Sequence, residues 1–123
     1  MQTFTKAERL CSKIEIDGLF EKGKSFNSKP FKIIWQSSHS NTSSIKIVFS
    51  VPKRLFKKAV DRNRIKRLMR EVYRKNKHHL KDNLENKSIN LMFIFISKTI
   101  IEYTEMEEKT VLALQHLIKN INT

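Results

Sequence analysis

Arg62, Lys66, Arg70 and Arg74 stand four residues apart, with Asn63, Arg64 and Arg67 between them. On a helix, side chains at i and i+4 share a face, and like charges placed there repel. A row assembled against that repulsion is suited to meet an anion. Guanidinium forks match phosphate oxygens two bonds at a time, and an asparagine can bond a ribose hydroxyl or a base edge. With Ile65 at zero and about 100° per residue, Arg62, Lys66, Lys77, Arg70, Asn63, Arg74 and Arg67 fall between about 60° and 200°. The chemistry predicted is noncovalent capture of a polyanion, set against the commoner meaning of a charge run, a solvated helix face.

No comparable set supports bond making. The histidines are His39, His78, His79 and His116, without an H-x3-H or HExxH spacing for a metal. Glu105, Glu107 and Glu108 open the last predicted helix, where its dipole accounts for them. Asp61 and Glu71 lie among arginines and temper the basic helix. Cys11 has no histidine near it in sequence, and Gly18 and Gly23 are the only glycines, so no phosphate-cradling loop exists. We therefore expect no catalytic residue and no metal site in the chain itself.

The charge is concentrated. The sequence carries 25 Lys+Arg against 12 Asp+Glu, a formal net charge of +13 over 123 residues. Thirteen of the basic residues and only Asp61 and Glu71 of the acidic ones lie between Lys53 and Lys81, so this segment holds +11 and the remainder +2. Such a field draws phosphates and releases their condensed counterions, which puts nucleic acid first and an anionic membrane surface second. The longest apolar run, Ile89 to Ile96, contains Asn90 and is far short of the roughly 20 residues of a membrane helix. One cysteine and no apolar leader suggest a reducing, cytoplasmic setting. The length and 39% hydrophobic content suit a single domain, residues 1–123.

Other segments must position the basic row. Ser12 to Glu15 has the form of a capping box, and Ile16, Leu19 and Phe20 give an apolar face to a helix over 13–22, with Gly23 placed to end it in a left-handed cap. Phe31 to Gln36 and Ile45 to Val51 read as strands joined through the polar stretch 37–44 as a hairpin, with Lys24 to Asn27 as a short edge strand. Alternation puts Ile45, Ile47, Phe49 and Val51 on one face. The basic helix runs from about Lys58 to Lys77, its core stripe Ile65, Leu68, Met69 and Val72. Ile89 to Ile96, apolar on both pleat faces, reads as a strand covered on both sides. A second capping-box pattern, Thr104 to Glu107, starts a last helix with Val111, Leu114, Leu117, Ile118 and Ile121 inward. The order α-β-β-β-α-β-α predicts an α+β fold, a small two-layer α/β sandwich.

Lys53-Arg54 followed by Ala59-Val60-Asp61-Arg62-Asn63-Arg64-Ile65-Lys66-Arg67-Leu68-Met69-Arg70-Glu71 resembles the signature of the bacterial ribonuclease P protein subunit, with its Arg-Asn-Arg core. The similarity extends to Arg9-Leu10, to Leu19-Phe20-Glu21-Lys22-Gly23-Lys24-Ser25-Phe26 and to Phe49-Ser50-Val51-Pro52-Lys53. It covers nearly the whole chain.

The resemblance implies a sandwich with a left-handed βαβ crossover, against the usual right-handed rule. It implies that Lys53, Arg54, Arg62, Asn63, Arg64, Lys66, Arg67, Arg70 and Arg74 meet a catalytic RNA, one protein per RNA. A cleft between the first helix and the sheet would take the single-stranded 5′ leader of precursor tRNA. Ile16, Phe20, Phe31, Trp35 and Lys53 are the leader candidates, Phe20 matching a leader-contacting aromatic of the family. Hydrolysis would belong to the RNA and its Mg2+. Four positions depart from the family pattern: Ile16 and Ile34 replace aromatics, and Lys57-Lys58 replaces Gly-Asn before the basic helix, where Asn would cap it better than Lys. The alternative is a ribosomal or other structured-RNA binder without a processing role.

Overall fold

The computed structural model describes residues 13–39, 44–83 and 87–122. The elements are α1 (Lys13–Lys22), β1 (Lys24–Ser28), β2 (Phe31–His39), β3 (Ser44–Ser50), α2 (Ala59–Asn76), α3 (His78–Lys81), β4 (Lys87–Phe95) and α4 (Tyr103–Ile121). The mixed α+β composition matches expectation, with the one-turn α3 as an addition. Arg9, Leu10, Cys11 and Ser12, and with Ser12 the expected N-terminal capping box, lie outside the described residues.

The four strands are ordered β1-β2-β4-β3. This corrects the expected β2–β3 hairpin. β4 inserts between them, antiparallel to β2 and parallel to β3, while the hairpin is β1–β2, with Lys24 opposite Trp35 and Ser28 opposite Phe31. β3 and β4 thus form a βαβ unit through α2. A short polar stretch between two apolar strands reads locally as a turn, but β4, apolar on both faces, is suited to an interior position between β2 and β3.

The pleat divides those faces. Phe31, Ile33 and Trp35 of β2, Ile89, Leu91, Phe93 and Phe95 of β4, and Ile45, Ile47 and Phe49 of β3 all enter one core with Ile65, Met69, Val72, Leu114 and Leu117 from α2 and α4. Aromatic rings stitch it together: Phe31 and Phe49 lie 5.4 and 6.0 Å from Phe93. On the opposite face, among the described residues, α1 packs through a small cluster of Leu19, Ile34 and Met92 with Ile16, Val48 and Ile94 half-buried around it. Roughly 0.8 kcal/mol per buried methylene makes the first face the source of stability and leaves α1 lightly held.

Two helix ends differ from expectation. No glycine has positive φ, so Gly23 is not a left-handed cap. Its amide donates to the Leu19 carbonyl at 2.8 Å, and a side-chain carbon there would collide with that carbonyl and approach Ile34 Cγ2 to 2.9 Å. Close approach, rather than handedness, calls for glycine. α4 begins at Tyr103 with Glu102 as its N-cap residue and no side-chain cap bond, so Thr104 lies inside the helix instead of capping it.

Candidate nucleic-acid interface

The basic residues are carried by α2 and by the turn before it. Pro52 stops β3, and the amides of Leu55 and Phe56 donate back to its carbonyl at 3.1 and 3.3 Å. This turn buries Phe56 and leaves Lys53 and Arg54 exposed at its tip. α2 starts at Ala59 with Lys58 as N-cap residue and no side-chain cap bond, as a lysine there predicts.

Arg62 takes over the task of fixing the chain's entry. Its Nη1 donates to the carbonyls of Phe56 and Lys57, each at 2.8 Å. One nitrogen of the guanidinium is thus engaged with backbone at the helix entry. Arg62→Ala should lower the urea midpoint by the equivalent of about 1–2 kcal/mol, the usual worth of charge-assisted hydrogen bonds, while leaving the salt dependence of RNA binding nearly unchanged. Equilibrium unfolding and salt-titrated binding check the two halves.

The buried stripe of α2 is Ile65, Met69, Val72, Tyr73 and Asn76, with Leu68 only half-buried. The helix is therefore rotated toward Tyr73 relative to the expected stripe. Tyr73 packs against Phe49 at 5.8 Å, and Asn76 donates to the Val72 carbonyl at 2.9 Å and to Glu107 at 3.2 Å. Lys77, expected on the basic arc, is buried, and Lys66 is half-buried at its margin. The exposed basic face consists of Asn63, Arg64, Arg67 and Arg70.

Arg74 borders that face but is engaged. Its guanidinium donates to Glu71 at 2.6 and 3.3 Å, and Lys75 approaches the same carboxylate at 3.9 Å. The hydrogen bond from Arg74 holds the Glu71 carboxyl below its ordinary range. The pair is complete above that range and is lost as pH falls through the lowered value, which turns Arg74 toward other anions.

The leader candidates divide between the two sheet faces. Phe20 is 58% exposed on α1, about 40° around the helix from half-buried Ile16. Phe31 is fully buried and Trp35 is 5% exposed, both facing the α2–α4 core, with the Lys24 ammonium 5.5 Å from the Trp35 ring. This corrects their expected place: an aromatic packed in the core offers no ring face to a base. The pleat points their neighbours the other way. Lys32, Ile34 and Gln36 share the α1 side, and the register continues it through Asn90 to Lys46. Gln36, Asn90 and Lys46 are not among the residues singled out from the sequence, because they come from three separate strands. Only the central position of β4 turns them into one row.

Among the described residues, no group of three or more His, Cys, Asp or Glu could hold a metal ion. Among the same residues, no helix is long and apolar enough to cross a membrane.

The model of the family described as Ribonuclease P matches residues 4–122. The chain belongs to the ribonuclease P protein family. A ribonuclease P protein component from Porphyromonas gingivalis is 36% identical over 121 residues, covering 95% of this chain and 88% of its own. Another from Bacillus pumilus is 33% identical over 114 residues, covering 93% and 87%. The fold agrees with the RNase P protein of Staphylococcus aureus (TM-score 0.67, 23% identity, 91% of this chain and 96% of that one). It agrees equally with that of Thermotoga maritima (TM-score 0.66, 22% identity, 89% and 96%). Membership of this ribonuclease P family makes the chain an RNA-binding protein of tRNA processing.

Proposed function

We propose that the protein uses the two faces of its sheet to hold two RNAs at once: the ribonuclease P RNA on the α2 side and the 5′ leader of precursor tRNA on the α1 side. The observation that carries this reading is the division of the sheet. Asn63, Arg64, Arg67 and Arg70 lie on the layer behind one face, while α1, among the described residues, packs on the other. The two surfaces do not compete, and exposed Lys53 and Arg54 stand at the turn where β3 leaves the sheet toward α2.

On the α1 side, exposed Phe20 offers a stacking platform, Ile16 and half-buried Val48 and Ile94 an apolar floor, and Lys32, Gln36, Asn90 and Lys46 polar groups for the strand. Aromatic platforms beside basic groups are the general solution for single-stranded nucleic acid, each stacked base contributing about 1–3 kcal/mol. With Ile16 and Ile34 in place of aromatics, Phe20 carries most of the stacking. On the α2 side, Arg64, Lys66, Arg67 and Arg70 bind phosphates and Asn63 a ribose or base edge.

In this reading the RNA carries the hydrolysis and its Mg2+. The protein's part is to bind and orient. By neutralising phosphates, the protein lowers the metal concentration the assembly needs. One protein serves one RNA, in the cytoplasm.

The test is precursor tRNA cleavage by the matching ribonuclease P RNA at limiting Mg2+. Adding the protein should restore cleavage at the mature 5′ end, and the protein alone should cleave nothing. Equal rates with and without protein under those conditions overturn the proposal.

A further inference from the structure

Beside the exposed basic face lies a cavity of about 450 Å³, between α2 and the segment leading into α4. Leu68 and Ile101 are half-buried in its lining and Ile100, unusually for isoleucine, is 40% exposed. Tyr103 forms a further wall, its hydroxyl 3.5 Å from Glu107 and its ring 5.3 Å from the Lys75 ammonium. Arg64, Arg67 and Glu71 border the cavity from α2, the Glu71 carboxylate accepting from Arg74 at 2.6 Å, and exposed Glu102 borders it from the segment before α4. Among the described residues, Glu102 has no ion-pair partner.

We propose that this cavity receives one unstacked base of the ribonuclease P RNA, guanine before the others. The inference rests on the reading of α2 as the surface that faces this RNA. An apolar floor with an aromatic wall suits the flat face of a base and does nothing for a phosphate, which the carboxylate would repel. Arg64 and Arg67 instead take the phosphates on either side of the extruded nucleotide, where a planar fork binds best. Single-stranded or bulged RNA is read in this way, with a base splayed out, stacked and bonded along its edge. Glu102 decides among bases. A carboxylate accepts two bonds side by side, and only guanine presents two adjacent donors, N1–H and N2–H, on its Watson–Crick edge.

Kethoxal modification of guanines in the matching ribonuclease P RNA, with and without full-length protein, tests this directly. One unpaired guanine should be protected by the wild-type protein and exposed again by Ile100→Asp. That substitution is at a solvent-facing position, and circular dichroism checks its fold. Removing the protected base should weaken wild-type binding about 10-fold and Ile100→Asp binding no further, the signature of one shared stacking contact. Replacing the guanine by adenine should weaken the wild type but not Glu102→Gln, which keeps the shape and loses the paired acceptors. If wild-type protein binds the RNA with a normal salt dependence but protects no guanine, or protects it equally in both variants, the base pocket is overturned and the reading of α2 stands. If the wild type does not bind this RNA at low salt, both fall.

Discussion

Replacing Arg67 and Arg70 together by alanine should weaken binding to ribonuclease P RNA about 15- to 30-fold at 0.15 M salt. The same double variant should lower the slope of log K against log salt by about 1.4–1.8, because each arginine that neutralises a phosphate contributes about 0.7–0.9 to that slope. The two magnitudes are one effect: counterion release vanishes at the 1 M reference state, so two lost contacts cost the salt ratio raised to the change in slope. Both arginines are exposed on the basic face, whereas Arg62 donates from Nη1 to the Phe56 and Lys57 carbonyls and Arg74 donates to Glu71. Conversion of both to lysine should keep the slope and lose only the affinity that planar forks add. Filter binding across a salt series reads all three proteins. An unchanged slope in the alanine variant would mean that the face is merely solvated.

That prediction is narrower than the sequence alone allows. Residue spacing showed an amphipathic basic helix and nearly its bounds, since Lys58 to Lys77 as expected compares with Ala59–Asn76. It misplaced the orientation by the width of one side chain. The expected stripe of Ile65, Leu68, Met69 and Val72 leaves out Tyr73, although an aromatic ring on a helix above a sheet gains more from burial than its hydroxyl loses. Once Tyr73 enters the core, Lys77 follows it inward, Lys66 moves to the margin, and Arg64 comes onto the exposed face.

The leader side shows a different limit. Phe31, Ile33 and Trp35 alternate with Lys32, Ile34 and Gln36, so the strand's own pattern already tells which residues share a face. It does not say which face the larger layer of helices covers. That depends on β4 entering between β2 and β3, a pairing of β3 with a strand more than forty positions along the chain, which no local turn signal encodes. Short-range features, such as α1, the edge strand and the doubly apolar β4, were legible. The cavity beside Ile100 was not, because it is formed by two segments that meet only through the packing of α2 on α4.

Phe93→Ala should destabilise the protein by about 3–5 kcal/mol, enough to leave much of a domain this size unfolded at 37 °C. Phe93 is 1% exposed at the middle of the central strand, with Phe31 on one side and Phe49 on the other, so its removal opens a cavity that no neighbouring strand can close. Met92, one residue earlier, points to the other face and touches only the small cluster with Leu19 and Ile34. Met92→Ala should therefore cost nearer the low end for such truncations, about 2 kcal/mol, because α1 can settle into the space. The functional consequences should differ more than the stabilities. Loss of Phe93 unseats α2 and abolishes binding to both RNAs, with a parallel drop in the urea midpoint. Loss of Met92 shifts α1 and Phe20 over an otherwise intact sheet, so affinity for the precursor leader should fall while affinity and salt slope toward ribonuclease P RNA hold. Measuring both affinities on both variants separates a protein with one fused RNA surface, in which Met92→Ala would weaken the two together, from one whose sheet keeps two surfaces apart.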